Sequence, residues 1–368
     1  MLRKDTLEMH ICFFAPSNNY HTQKWANYFM SKGMKVSVIS FIDAHIDGAT
    51  VYFVDCGVTP TQSDGSKLKY LLTAGKVRKI VKDIQPDIIN VHYASSYGAV
   101  AAFAGLKNHF LSVWGKDIYS FPKKSFLHKA LLKFSLSRAK HIFSTSKAMA
   151  EETQKYTKKH IDITPFGVKT DLFTPKRRNR TDDAFIIGTV KALTPKYGID
   201  YLLKAAAIIR NERPDINLKI RIAGKGEYAD EYKQLACDLG LSHMTSWLGF
   251  ISQEEAATEW ANMDVGVVAS TEDSESFGVS AVEAESCATP VIISDIPGLM
   301  EATYPGRTSI VVQRKNERAL ADAIISLYDN PILCKELGTA GREFVQKNYE
   351  FTACFEMIEE LFMHYSEA

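Results

Sequence analysis

No two of the six cysteines, Cys12, Cys56, Cys237, Cys287, Cys334 and Cys354, stand at a C-x-x-C spacing. That excludes a zinc ribbon and a dithiol redox motif, and six scattered thiols in a chain this long outline no disulfide framework. Reduced, mostly buried thiols are expected. Long apolar runs are also missing. Nothing approaches the roughly 18–20 residues of a spanning helix, and MLRKDTLEMHICFFAPS holds no run long enough for a secretory leader. A cytoplasmic protein is expected, one that meets a membrane only on its inner surface, as a peripheral protein. Neither sign of charge is in excess: 44 Lys and Arg face 43 Asp and Glu. A nucleic-acid partner is therefore not expected. No D-x-D pair stands at a strand end and no His/Cys cluster occurs, so no metal and no cofactor are expected. IAGKGE (222–227) lacks the third glycine of a dinucleotide fingerprint and follows the second strand of its series, which counts against a dehydrogenase.

What is present is an alternation of apolar runs and amphipathic stretches over 368 residues, enough for two cores. MHICFFA (9–15), 36–40, 87–91, 110–113 and 141–144 read as strands, and helical stretches lie between them. After the charged segment PKRRNRTDD (175–183) a second series begins. Its strands are expected at 185–190, 218–223, 245–248, 265–269, 290–293 and 310–312. Strands separated by helices imply an α/β fold with parallel sheets covered on both faces.

The chemistry concentrates in ESFGVSAVE, Glu275 to Glu283. Glu275 falls in a loop after the strand VGVVAS, and Glu283 just over one turn into the next helix. Between them Phe277, Gly278 and Val279 offer backbone N–H groups at a helix N-terminus, where the dipole favours an anionic phosphate. A carboxylate accepts hydrogen bonds only and matches a diol, so one Glu suits ribose hydroxyls and the other sugar hydroxyls. Lys191 and Lys196 follow a strand and precede a helix, two cations five residues apart that can neutralise an anionic group.

The segment from Asp264 to Glu301 resembles the donor-site signature of the family 4 retaining glycosyltransferases of the GT-B fold. Glu275 and Glu283 match that family's E-x7-E motif. The resemblance implies two Rossmann-like domains with parallel sheets facing a central cleft. It implies a nucleoside-diphosphate sugar as co-substrate, held mainly by the second domain, and transfer with retention. Glu283 would hold the ribose and Glu275, as a catalytic residue, the transferred sugar. Ser276, Phe277, Gly278 and Val279 would line the sugar and diphosphate. GTVKALTPKYGIDYLL (188–203) resembles the family's basic phosphate segment, with Lys191 where Arg is usual and catalytic Lys196 at the usual Lys. WLGFI (247–251) matches the segment beside the nucleobase, which places Gly249, Phe250 and Ile251 there.

The N-terminal half departs from the pattern. PSNNYHTQKW (16–25) lacks the family's glycine pair, and Asn18 and Asn19 are expected to substitute, since Asn tolerates positive φ. The usual His-Gly-x-Asp turn reads Trp114-Gly115-Lys116-Asp117. The catalytic His is therefore sought at His92, which follows the strand DIINV, and Asn19, His21, Trp114 and Asp117 are placed on the acceptor side. PKKSFLHKALLKFSLSRAKH (122–141) mixes lysines with apolar residues. A basic amphipathic helix of that kind suits an anionic membrane surface or packing on the sheet.

Together these readings set domains at 1–167, with a last helix (349–368) returning to it, and at 168–348. The expected function is transfer of a hexosyl or N-acetylhexosaminyl group to a glycan or lipid-linked acceptor of a bacterial surface polysaccharide. A nucleotide-sugar epimerase would instead interconvert donors without acceptor, and a non-catalytic binding module would hold the donor without turnover.

Overall fold

The computed structural model describes residues 9–57 and 64–367. The segment Met1–Glu8, on which part of the leader reading rests, lies outside the described residues. Two compact units emerge, 1–165 with 355–368, and 166–354. The expected boundaries at 167 and 348 shift for a local reason. Val168 N–H donates to the Tyr349 carbonyl at 2.8 Å, and Phe351 N–H donates to the Val168 carbonyl at 3.0 Å. This small bridge holds Tyr349–Cys354 with the second unit.

The first unit carries seven strands: β1 (His10–Phe14), β2 (Lys35–Ser40), β3 (Thr50–Phe53), β4 (Ile88–His92), β5 (Phe110–Val113), β6 (His141–Ser144) and β7 (Ile161–Ile163). All pair in parallel, in the order β3-β2-β1-β4-β5-β6-β7. The central strands read as continuous apolar runs because helices cover both faces. The edge strands β3 and β7 go beyond the sequence reading. TVYF is half exposed and IDI has only three residues, so neither makes an apolar run. The closing helix Phe351–Glu367 brings Phe355 and Phe362 to within 5.6 and 6.4 Å of the Trp25 ring, and Phe362 to 4.8 Å of Phe110. Burying each Phe contributes roughly 1.5–3 kcal/mol, which fixes the helix to this unit.

The second unit has six strands: β8 (Phe185–Val190), β9 (Leu218–Ala223), β10 (Thr245–Gly249), β11 (Val265–Val268), β12 (Val291–Ser294) and β13 (Ser309–Val312). They too are parallel, in the order β10-β9-β8-β11-β12-β13. The order in which strands are added reverses between β1 and β4 in the first sheet and between β8 and β11 in the second. In open α/β sheets these switch points leave crevices at the carboxyl ends of the strands, where ligands bind. The six cysteines form no disulfide, and Cys12, Cys287 and Cys354 are buried. No described helix is long and apolar enough to cross a membrane.

Candidate active site

The switch point of the second sheet receives the loop after β8 and the loop after β11, and these bring the predicted donor residues together. Lys191 N–H continues the ladder to the Ala223 carbonyl at 2.9 Å. The loop then passes so close to IAGKGE that a Cβ on Gly224 would lie 1.8 Å from the Lys191 carbonyl oxygen. One on Gly226 would lie 2.1 Å from that of Leu193. The two glycines therefore seat the lysine loop, a role invisible in the sequence.

Glu275 stands between the two lysines. Its Oε1 accepts from Lys191 Nζ at 2.8 Å, and its Oε2 lies 3.6 Å from Lys196 Nζ. Lys196 also donates to the Ser274 carbonyl at 2.9 Å. Both ammonium groups sit over the Tyr197 ring, at 4.7 and 5.1 Å from its centroid. The three charged side chains are only 8–11% exposed. Burial pushes the Glu275 carboxyl up, but Lys191 and Lys196 outweigh it and hold the group below its ordinary value. Burial likewise opposes the charge on Lys191, and Glu275 outweighs it, so this lysine is raised. Both shifts favour the ionised Lys191–Glu275 pair, with Lys196 beside it, in a nearly closed setting where charge interactions are strong. Tyr197, the partner of both cations, was not among the expected residues.

The helix Val279–Ser286 begins beside this cluster, and Glu283 lies on it, 7% exposed. Gly278 has φ +81°, and an added Cβ would meet Leu299 Cδ2 at 2.4 Å. The positive φ favours glycine there, and a Cβ would have to displace the Leu299 side chain. Phe277 corrects the expectation for its side chain. Its ring is buried edge-on to Phe166 and Tyr349, at 6.2 and 5.1 Å, so it anchors the loop and leaves the main chain to face the site. Ser276 is buried beside it, and Val279 opens the helix half-buried. Ser280 ties the helix to the end of β8 through the Val190 carbonyl at 3.0 Å. At the end of β10, the Gly249 carbonyl accepts from Gly224 N–H, and Ile251 is half-buried. Phe250 is 73% exposed with Lys225 Nζ 4.9 Å from its centroid. An exposed ring at that edge offers a stacking face. Among the described residues no group of three or more His, Cys, Asp or Glu converges on a metal position.

The acceptor-side expectations change more. Asn19 has φ −80° and caps the helix Tyr20–Ser31, accepting from His21 N–H at 2.8 Å. It is a cap rather than a glycine substitute, and neither Asn18 nor Asn19 takes a positive φ. Asp117 is 2% exposed and accepts N–H bonds from Ala94, Gly115 and Trp114 at 2.9, 2.8 and 3.3 Å. Its carboxylate pins the turns after β4 and β5. His92 is wholly buried among rings, 4.1 Å from Trp114, 5.3 Å from Trp25 and 5.6 Å from Phe13. Burial, and then His21, hold its imidazole far below the ordinary value and neutral. A catalytic contact by His92 is therefore set aside, because Trp114 occupies the space above it. Trp114 is 8% exposed, and His21, half-buried, lies 5.9 Å from it.

Two doubly wound parallel sheets in one chain, with an ionic cluster at the switch point of the second, define the GT-B class. Residues 172–344 match the family model described as "Glycosyl transferases group 1", and residues 10–146 match "Glycosyl transferase 4-like". The chain belongs to the GT-B glycosyltransferases of family 4. It is 35% identical over 213 residues to a D-inositol 3-phosphate glycosyltransferase of Pseudarthrobacter chlorophenolicus, covering 55% of this chain and 50% of that one. The chain thus spans about half the length of this relative. An uncharacterized glycosyltransferase of Methanocaldococcus jannaschii is 28% identical over 306 residues, 82% of each chain. Among solved structures, a sucrose-phosphate synthase from Thermosynechococcus elongatus superposes with a TM-score of 0.82 at 19% identity, covering 97% of this chain and 98% of that one.

Proposed function

We propose that the chain is a retaining glycosyltransferase that moves a hexosyl or N-acetylhexosaminyl group from a nucleoside-diphosphate sugar to a glycan or lipid-linked acceptor. The observation that carries this reading is the Lys191–Glu275–Lys196 cluster at a helix N-terminus, with Glu283 one turn further on. The diphosphate takes the place of Glu275 as counter-ion to the two lysines, aided by the N–H groups of the helix end. Glu275, released, accepts from hydroxyls of the transferred sugar, and Glu283 from the ribose. Phe250 supplies a face for the base. The anomeric carbon–phosphate oxygen bond breaks, the acceptor oxygen bonds to that carbon on the same face, and the departing phosphate oxygen takes the acceptor proton. Lysines and helix dipole meet the leaving charge in this reading, with no metal.

Screening UDP-, GDP- and ADP-sugars by thermal unfolding tests it. The right donor, at about a hundred times its Kd, stabilises by about 2.7 kcal/mol. With acceptor present, that donor gives nucleoside diphosphate and a product of unchanged anomeric configuration. Interconversion of donors without acceptor, or tight binding with no turnover under any acceptor, sinks the reading.

The acceptor is reached from the inner face of a membrane, in bacterial surface polysaccharide synthesis. The helix Phe126–Arg138 buries Leu132, Ser135 and Leu136. Phe126, Lys129 and Lys133, spaced i, i+3 and i+7, form an exposed stripe flanking that buried face, with Phe126 82% exposed and both lysines exposed. Each Lys near an anionic surface contributes about 1 kcal/mol. Sedimentation with vesicles should require anionic lipid, weaken with salt, and drop when Lys123, Lys124, Lys129 and Lys133 become Gln. Equal sedimentation with neutral vesicles, or none with either, returns the helix to plain structure.

A further inference from the structure

Lys196 and Tyr197 share a short turn, Pro195–Tyr197, and that turn is tied down from two sides. Within it, Tyr197 N–H donates to the Thr194 carbonyl at 3.1 Å. Across it, Thr271 from the loop after β11 donates its N–H to the Lys196 carbonyl at 2.7 Å. The Thr271 Oγ1 also donates to the Pro195 and Lys196 carbonyls, at 3.1 and 3.2 Å. Gly198 ends the turn at φ +65°, and a Cβ there would lie 2.0 Å from the Ala269 carbonyl oxygen. Close packing on the loop that also carries Glu275 therefore fixes the backbone from which the Tyr197 ring projects.

The ring offers what the charge pairs cannot. Glu275 holds Lys191 at 2.8 Å and lies 3.6 Å from Lys196. In the donor reading it leaves both lysines for the sugar, and the diphosphate takes its place. During that exchange two ammonium groups on flexible stems change counter-ion, and like charges close together repel. The ring takes no part in the exchange. Its face attracts cations through the negative quadrupole of the π system, over a reach of roughly 6 Å. Lys191 Nζ stands 4.7 Å and Lys196 Nζ 5.1 Å from its centroid. Both lysines are nearly buried, at 9% and 11% exposure, and such contacts are strongest where water is excluded. Burial pushes the Tyr197 hydroxyl above its ordinary value, with Lys191 opposing, so the ring meets the lysines as a neutral phenol.

We infer, resting on the donor-site reading above, that Tyr197 is a positioning residue whose ring keeps the Lys191 and Lys196 ammonium groups converged on the leaving phosphate while the donor replaces Glu275. Preorganised cations meet charge as it develops, and a small misplacement lowers the rate steeply. In the ground state a bound diphosphate draws a loose lysine to itself. The rate depends on how closely the pair is held where charge grows, so the ring acts on kcat more than on affinity.

The test replaces Tyr197 by phenylalanine and by phenylalanines with progressively more ring fluorines, which keep the shape and remove the negative face. Tyr197→Phe should retain kcat to within about threefold, because the two rings present similar faces. Along the fluorinated series kcat should fall stepwise, by about tenfold or more at the end, as expected for two desolvated cation–π contacts. Nucleoside-diphosphate affinity, titrated separately, should fall less, and the thermal midpoints should stay together because the packing is unchanged. Tyr197→Leu, which has no ring, should match the end of the series in kcat. A kcat that stays flat along the series overturns the inference, as does a fall that follows the thermal midpoint. A large loss in Tyr197→Phe moves the role to the hydroxyl and overturns it too. Wild type measured in parallel separates the two ideas. If it binds nucleoside diphosphate and transfers sugar while the series stays flat, the positioning role alone falls; if it neither binds nor transfers, the donor-site reading falls and takes this role with it.

Discussion

Replacing Lys196 by Ala should lower kcat by about 10²–10³-fold while changing nucleoside-diphosphate affinity far less. The magnitude is that of deleting one preorganised group aimed at charge that develops in the transition state. Negative charge on the leaving diphosphate grows as the glycosidic bond breaks, so a cation 11% exposed stabilises that state more than the bound donor. Ground-state binding changes less because Lys196 is already shared with Glu275, at 3.6 Å, and with the Ser274 carbonyl. The same geometry predicts the opposite sign for Glu275→Gln. Removing that charge frees Lys191 and Lys196 for the diphosphate, so affinity for the nucleoside diphosphate should hold or rise while turnover falls. Steady-state kinetics with a separate titration of the nucleoside diphosphate reads both. An effect of Lys196→Ala confined to KM, or loss of nucleoside-diphosphate binding in Glu275→Gln, would remove the cluster from the chemistry.

The second large effect concerns stability. Glu285 lies two residues beyond Glu283, about 200° round the same helix, and points into the core. Its Oε1 accepts from Thr308 Oγ1 at 2.6 Å, and its Oε2 has no hydrogen-bond partner among the described residues. Burial pushes its carboxyl up from 4.5 to about 8, with the Thr308 bond opposing weakly. The folded chain therefore keeps a proton that the unfolded chain releases near 4.5. The stabilisation is whole below pH 4.5, falls as pH rises from there to about 8, and is fully lost above. Within that window each pH unit costs up to about 1.4 kcal/mol. Glu285→Gln keeps the shape and the Thr308 bond but cannot ionise. Urea unfolding of wild type and variant at pH 5 and pH 8.5 should show the variant gaining on the wild type as pH rises. Parallel curves at both pH values would mean that Glu285 is not held protonated.

How much of this was legible depends on the range of the interaction. ESFGVSAVE announced an acidic loop and a helix start because strand, loop and helix are consecutive, and the lysines showed themselves by standing between a strand and a helix. The side on which each helix residue lies was less legible. AVEAES holds two acidic residues, and only packing against Thr308 and Gly341 shows that Glu285 is the core one. Phe277 looked like a ligand contact and is an anchor, because Phe166 and Tyr349 reach it from distant parts of the chain. His92 ended a strand at the expected place, but Trp114, on the neighbouring strand's end, covers it.

By itself the sequence determined the α/β class, the two series of parallel strands and the loops that carry the donor residues. Each of these follows from apolar periodicity and from neighbours within a few residues, which local physics reads directly. Only the tertiary structure decided which side chains meet. The 2.8 Å contact of Lys191 with Glu275 spans 84 residues, and no pattern along the chain encodes a distance of that kind. A cavity of ≈ 510 Å³ beside the ends of β1 and β4 was equally out of reach. It is made of space that five separate segments of the first unit, loops and helices alike, leave unfilled, and unfilled space has no letter in the sequence.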